Sequence, residues 1–269
     1  MAVTAVEVGI TGEDGGVGIR AYTQLLSHVR FMLEEIDRLA APGDVTRPEW
    51  AVRSAVTAGS TFRVVLLPRT LPRRRDPDSL AIPPMALVDG VRSLATAPEI
   101  PRFFSEPVVS HVDKVGGQIG RSGVAGITMI SINGDRSPEA PVTEAVRENA
   151  RRAVRPYSVA WSSVVGVLDV ISARREKRQV GLLTEQGRAV VCNVQKLPKE
   201  LVFSAFEQKV VAGGLLRRNS RGQAVRLDVD SLEILSPEPH VSARDLLGAG
   251  RGIIEPTDEE AFMVVLRDR

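Results

Sequence analysis

Apolar residues recur along this chain with two periods, and the change of period divides it. In residues 3–10, Val3, Val6, Val8 and Ile10 alternate with polar or small residues, which predicts a short strand. From residue 20 to 40, Tyr22, Leu25, Leu26, Val29, Met32, Leu33, Ile36 and Leu39 recur every three to four positions. That spacing paints one apolar stripe along a long helix. Ala41-Pro42-Gly43 stops it. Trp50, Val52, Ser54 and Val56 then alternate, Gly59-Ser60 turns the chain, and Phe62, Val64 and Leu66 return as the second arm of a hairpin. The opening reads β-α-β-β, one amphipathic helix over a small antiparallel sheet.

Residues 68–84 break this pattern. Prolines and arginines crowd around only three large apolar residues, Leu71, Leu80 and Ile82, which predicts a mobile linker. Helices are expected over 85–96 and 106–115. Ile127, Met129, Ile130 and Ile132 predict a strand that ends at the turn pair Asn133-Gly134. A helix over 142–154 carries Val146, Ala150 and Val154 on one face, and Pro156 ends it.

The last third has the period of strands. Val164, Val165, Val167, Leu168, Val170 and Ile171 form a long strand with Gly166 inside it. Strands over 180–184 and 188–194 follow, then a helix over 198–208, then strands over 209–217 and 224–235. The order β-β-β-α-β-β predicts a five-stranded OB-like barrel, in which a glycine lets the long first strand bend. Another small barrel, or a meander capped by a helix, would use the same elements with different pairing. Phe203 and Phe206 on the helix are expected to serve the core. The fold class is therefore α+β: an N-terminal β-α-β-β domain with extra helices (1–156, linker 68–84), an OB-like barrel (157–236) and a C-terminal docking tail (237–269).

Composition narrows the functional classes. Thirty-five basic and 33 acidic residues leave a net charge of +2, so electrostatic recognition must rest on local patches. A single Cys excludes an internal disulfide and a multi-Cys zinc site. No apolar run is long enough for a transmembrane helix, and the N-terminus has no basic segment of a signal peptide, so a cytoplasmic location is expected.

No catalytic signature emerges, and the expectation is a protein that is not an enzyme, with no cofactor and no metal. Gly12, Gly15, Gly16 and Gly18 lie where a phosphate loop would lie, but their spacing fits no such motif, and Glu13 and Asp14 would repel an anion. Gly116, Gly117 and Gly120 fail the same test. His28, His111 and His240 have no companions at ligand spacing, and Cys192, among valines, reads as a buried thiol.

Cations gather instead in two predicted barrel loops. Arg174, Arg175, Lys177 and Arg178 occupy the first, and Arg217, Arg218 and Arg221 the second. In an OB-fold these loops flank one face, so the seven residues are candidate nucleic-acid contacts. The middle strands offer Leu182, Val190 and Cys192 there, and no aromatic platform for bases.

The strings FMLEEIDRL, EWAV, GSTFRVVLLP, SSVVGVLDVIS, AVVCNV, KVVAGGLLRR, AVRLDVDSLEIL and DLLGAGRG…DEEAFMVVLRD occur in this order. In that succession the chain resembles bacterial antitoxin-like proteins encoded beside PIN-domain ribonuclease toxins. It departs from them in the linker 68–84 and in its basic barrel turns. The resemblance implies a protein partner, a PIN-domain nuclease whose carboxylate cleft the tail would fill. Arg244 and Arg251 would meet carboxylates, with Leu246, Leu247, Phe262 and Leu266 as apolar anchors. Two functions stand side by side: a non-enzymatic protein-binding module that neutralises a nuclease, and a nucleic-acid-binding OB protein that uses the basic loops. A ligand sensor built on the N-terminal glycine loop is a third.

Overall fold

A computed structural model of the chain describes residues 4–13, 16–41, 47–69, 77–174 and 177–235. Among these residues it is an α+β protein with two separate sheets and five helices. The predicted tail, with Arg244, Leu246, Leu247, Arg251, Phe262 and Leu266, lies outside the described residues, as do residues 70–76 of the linker.

The first sheet is built around β1 (Thr4–Gly12), which pairs antiparallel with β3 (Thr61–Arg69) and β4 (Val124–Asn133). β2 (Glu49–Ala58) lies outside β3, and the short β5 (Asp135–Arg136) and β6 (Ala140–Pro141) pair with β4. The alternation read from sequence sorts β1 as expected. Val6, Val8 and Ile10 join Val64, Leu66, Ile127 and Met129 in one core with the helices. On the opposite face, Glu7 receives both terminal nitrogens of Arg136, at 2.9 and 2.8 Å.

Four helices supply the rest of that core. α1 (Ile19–Ala40) buries Leu25, Val29, Met32, Leu33 and Ile36, at about 1.5–3 kcal/mol for each large side chain. α3 (Glu106–Gly116) contributes Val108, Val109, Val112 and Val115, and α4 (Glu144–Val154) contributes Val146, Ala150 and Ala153. Thr143 caps α4 by accepting from the Val146 amide.

The linker expectation is corrected at α2, which runs Pro77–Thr96 and takes in the second half of that segment. Pro77 fits a first helical position, where its missing N–H is no loss. Pro83 and Pro84 lie inside the helix, where each removes a donor. Burial outweighs that loss: Ala81, both prolines, Leu87, Val88, Val91 and Leu94 all face the interior. The cue was masked by polar flanks and by the weight that proline carries in a sequence reading.

The second sheet comprises β7 (Ser158–Arg174), β8 (Lys177–Leu183), β9 (Ala189–Asn193), β10 (Lys209–Arg218) and β11 (Ala224–Ile234). β7 pairs antiparallel with β8 and with β10, β8 with β9, and β10 with β11. β9 and β11 pair in parallel. The short helix α5 (Lys199–Ser204) joins β9 to β10. β7 is much longer than the stretch 164–171 expected from sequence. It pairs with β10 up to Val167 and with β8 from Val167 onward. Gly166 stands at this change of partner, where a Cβ would lie 2.4 Å from the Leu183 carbonyl oxygen. The interior holds Leu168, Leu182, Val190, Cys192, Val210, Leu216 and Leu227.

Both sheets belong to one compact unit. Leu39 of α1 buries with Leu183 and Ala189, and Ser105 forms a parallel bridge with Ala189. The Phe103 amide donates to the Gly187 carbonyl at 3.0 Å.

Candidate functional site

Consecutive strand residues point to opposite faces, so β7 has two different faces. Its even positions Val164 and Leu168 pack with the interior cluster. The odd positions, with Tyr157 just before the strand, form a line of exposed apolar side chains: Tyr157, Val159, Trp161, Val165 and Val167. Tyr157 is 80% exposed and Trp161 71% exposed. The chain has only two Trp and two Tyr, so one of each is committed to this stripe.

β10 lies beside the stripe in register. Leu215 faces Trp161, Val211 faces Val165 and Gly213 faces Ser163. One strand further, Ser231 faces Gly213 and Glu233 faces Val211. A row of small residues, Ser163, Gly213 and Ser231, thus crosses the face between two apolar rows. Gly214, next along β10, sits at a bulge against β11, and a Cβ there would fall 2.0 Å from the Asp228 carbonyl oxygen.

Two arginines bordering this face are paired. Arg217 donates to Asp228 at 3.0 Å, and Arg226 reaches Glu106 at 2.9 Å. Burial pushes the Asp228 carboxyl up, but hydrogen bonds from Arg217 and Asn193 outweigh it, and its pKa is lowered.

Register places the basic loops along β7. Arg174 and Lys177 face each other at the C-terminal end of β7, whereas Arg218 faces Ser158 at its N-terminal end. The two groups therefore lie at opposite ends of one strand. Arg175 and the side chains of Arg174 and Lys177 are outside the described residues. Arg178 donates to the Gln195 carbonyl at 2.7 Å, and Arg218 to the Gly222 carbonyl at 2.9 Å. Arg221 is exposed.

The outer surface of β8 and β9 is partly covered by the chain itself. Leu183 and Ala189 are buried there with Leu39. Beside them Arg38 of α1 forms an ion pair with Asp169 of β7 and binds Glu35 at 2.7 Å, and the Ser105 hydroxyl donates to Glu35 at 3.0 Å. Leu182 and Val190, which the sequence reading set on the binding face, point into the interior cluster, and Cys192 is buried with them, as its valine neighbours implied. Phe203 also departs from expectation: it is 64% exposed, and Phe206, just past α5, is exposed as well, so neither is a core residue.

Other sequence candidates are occupied structurally. Gly12 and Gly18 donate their amides to the carbonyls of Ser60 and Ser122, which leaves neither for a phosphate. Cys192 is buried, and its thiol is pushed up to about 12 by burial. Among the described residues no group of His, Cys, Asp and Glu is placed to hold a metal, and no helix is long and apolar enough to cross a membrane.

Sequence reasoning missed Tyr157, Val159 and Trp161. The signal was present: apolar residues at 157, 159, 161, 165 and 167 keep a period of two. It was lost because the strand was started at Val164, past the aromatic half. Comparisons with protein-family models, with curated proteins and with solved structures find no match to this chain.

Proposed function

We propose that this protein is a non-enzymatic protein-binding module in which an OB-like barrel presents the outer face of β7 and β10 to a partner protein. The barrel reading rests on pairing order. Each of the five strands has two neighbours, the last strand lies between the third and the fourth, and a helix joins the third to the fourth. That order supports the OB-like reading, whose Greek-key connection it shares.

The observation that carries the functional reading is Trp161, 71% exposed in a line of apolar side chains that only Ser163 interrupts. Scattered apolar residues on a surface need no explanation, but an aligned set holding Trp and Tyr has the composition of an interface centre. Charge favours a protein over a nucleic acid as the occupant. Arg217 and Arg226 beside the stripe are held by carboxylates, which leaves little positive charge there for phosphates. The resemblance to antitoxin-like proteins extends the reading to a ribonuclease partner and its neutralisation.

A photo-crosslinking residue placed in the full chain at Val159, at Val165 and, as a control, at Val56 tests this reading. Positions 159 and 165 are expected to capture one and the same protein, position 56 is not, and Trp161→Ala is expected to abolish capture with no change in Tm. Absence of a protein adduct at 159 and 165, an adduct indifferent to Trp161→Ala, or a nucleic-acid adduct in its place overturns the reading.

A further inference from the structure

Away from the β7 face, α1, α3, α4 and the segment after α3 line an open concavity of about 320 Å³, at the small end of ligand sites. Its lining includes His28, Asp113, Lys114, Arg121, Arg147 and Arg151. We propose that this concavity binds a small phosphate-bearing molecule through Lys114, Arg121 and the arginine pair of α4.

The arginine pair is built in place. Arg147 and Arg151 stand one turn apart on α4, and both approach Asp113 of α3, at 3.6 and 2.9 Å. Glu144 holds Arg147 at 2.6 Å. The stem of Arg147 lies across Gly116, where a Cβ would be 2.3 Å from its Cγ, so a glycine is required for this side chain to lie flat on α3. A guanidinium positioned in this way loses little freedom on meeting an oxyanion.

The charges do not cancel. Four cations face two carboxylates, Asp113 and Glu144, and no carboxylate among the described residues pairs with Lys114 or Arg121. The histidines register the resulting field. Burial and then the Lys114 ammonium lower the pKa of His28, and burial, Lys114 and His28 together bring His111 down to about 4. His28 meets His111 edge-on at 4.8 Å, and Phe31 stacks on His111 at 4.1 Å. A phosphate monoester, with close to two negative charges at neutral pH, has the charge and size that this hollow accepts.

The test is an NMR titration of the His28 and His111 ring protons in the full chain, with inorganic phosphate, a ribonucleoside monophosphate and a short single-stranded RNA as separate probes. The monophosphate is expected to bind and to raise the His28 pKa, because a bound dianion opposes the field of Lys114. Lys114→Ala, Arg121→Ala and Arg151→Gln alter exposed residues, and each is expected to weaken binding at least tenfold with Tm unchanged. If inorganic phosphate binds as tightly as the monophosphate, the site reads the phosphate group alone, and the proposal stands. Unmoved His28 and His111 signals at millimolar phosphate and monophosphate overturn it. So does binding of the RNA alone, which would make the hollow a nucleic-acid contact.

Discussion

Asn219 in the β10–β11 turn is 1% exposed, and its side-chain amide donates to the carbonyl of Ala153 in the last turn of α4 at 2.8 Å. Its carbonyl oxygen accepts the amides of Arg221 and Gln223, each at 3.0 Å. Gln223 in turn brackets Ile100, accepting from its amide at 2.7 Å and donating to its carbonyl at 3.2 Å. A turn that reads in sequence as a free basic lip is thus fastened to the helical layer. Asn219→Ala leaves one carbonyl and two amides without these partners, and is expected to cost about 2–3 kcal/mol in urea unfolding. A loss below about 0.5 kcal/mol, the range of ordinary surface substitutions, would show that the turn is not held this way.

The ion network of Arg38, Glu35 and Asp169 predicts a pH signature. Burial raises the Glu35 pKa, but hydrogen bonding and charge from Arg38 prevail and leave it lowered; at Asp169 burial prevails over Arg38 and leaves it raised. Glu35 therefore adds stability that is present above its ordinary pKa and is lost as pH falls through its lowered one. Asp169 acts with the opposite sign, favouring the fold as it takes up a proton. Arg38→Ala strands two carboxylates and is expected to cost about 3 kcal/mol at pH 7. In that variant both carboxyls bind protons more readily folded than unfolded, so its deficit should shrink as pH falls toward 4. Unfolding curves at pH 7 and pH 4.5 check this, and a deficit that grows in acid would contradict it.

His111 predicts a separate loss. Its folded pKa, about 4, lies below the unfolded value of 6.5, so the unfolded chain protonates first. Stability from this group is complete above pH 6.5 and declines as pH falls toward 4. His111→Phe, which keeps an aromatic ring beside Phe31, is expected to flatten the fall in Tm across that window. An equal fall in both proteins would remove His111 as its source.

Two adjacent glycines of β10 should behave unequally. A Cβ at Gly213 meets only the Ser231 hydroxyl, at 2.6 Å, and that group can rotate aside. A Cβ at Gly214 meets backbone of β11 at 2.0 Å. Gly214→Ala is expected to cost about 3 kcal/mol and Gly213→Ala about 1 kcal/mol or less, read as midpoints of urea unfolding.

Much of the architecture was legible because periodicity reports burial on one face. The stripe Leu25, Val29, Met32, Ile36 located α1 to within a residue, and alternation located the β2–β3 and β8–β9 hairpins. Where burial and local signals conflict, the reading failed: Pro83 and Pro84 hid a helix whose stability comes from packing. The site was less legible for a related reason. A strand with apolar residues on both faces, as in β7, does not say which face meets solvent. That depends on which surfaces of the sheet the rest of the chain covers, a matter of long-range pairing. The same gap set Leu182 and Val190 on the outside.

The proposal stands or falls on whether a partner docks on the Trp161 face. Its most direct test is the Kd of the purified partner, measured by calorimetry, for the full-length chain and for Trp161→Ala. A buried tryptophan anchor predicts a loss of about 2 kcal/mol, roughly thirtyfold weaker binding, with Tm unchanged. An unaltered Kd in a folded Trp161→Ala protein would contradict the account.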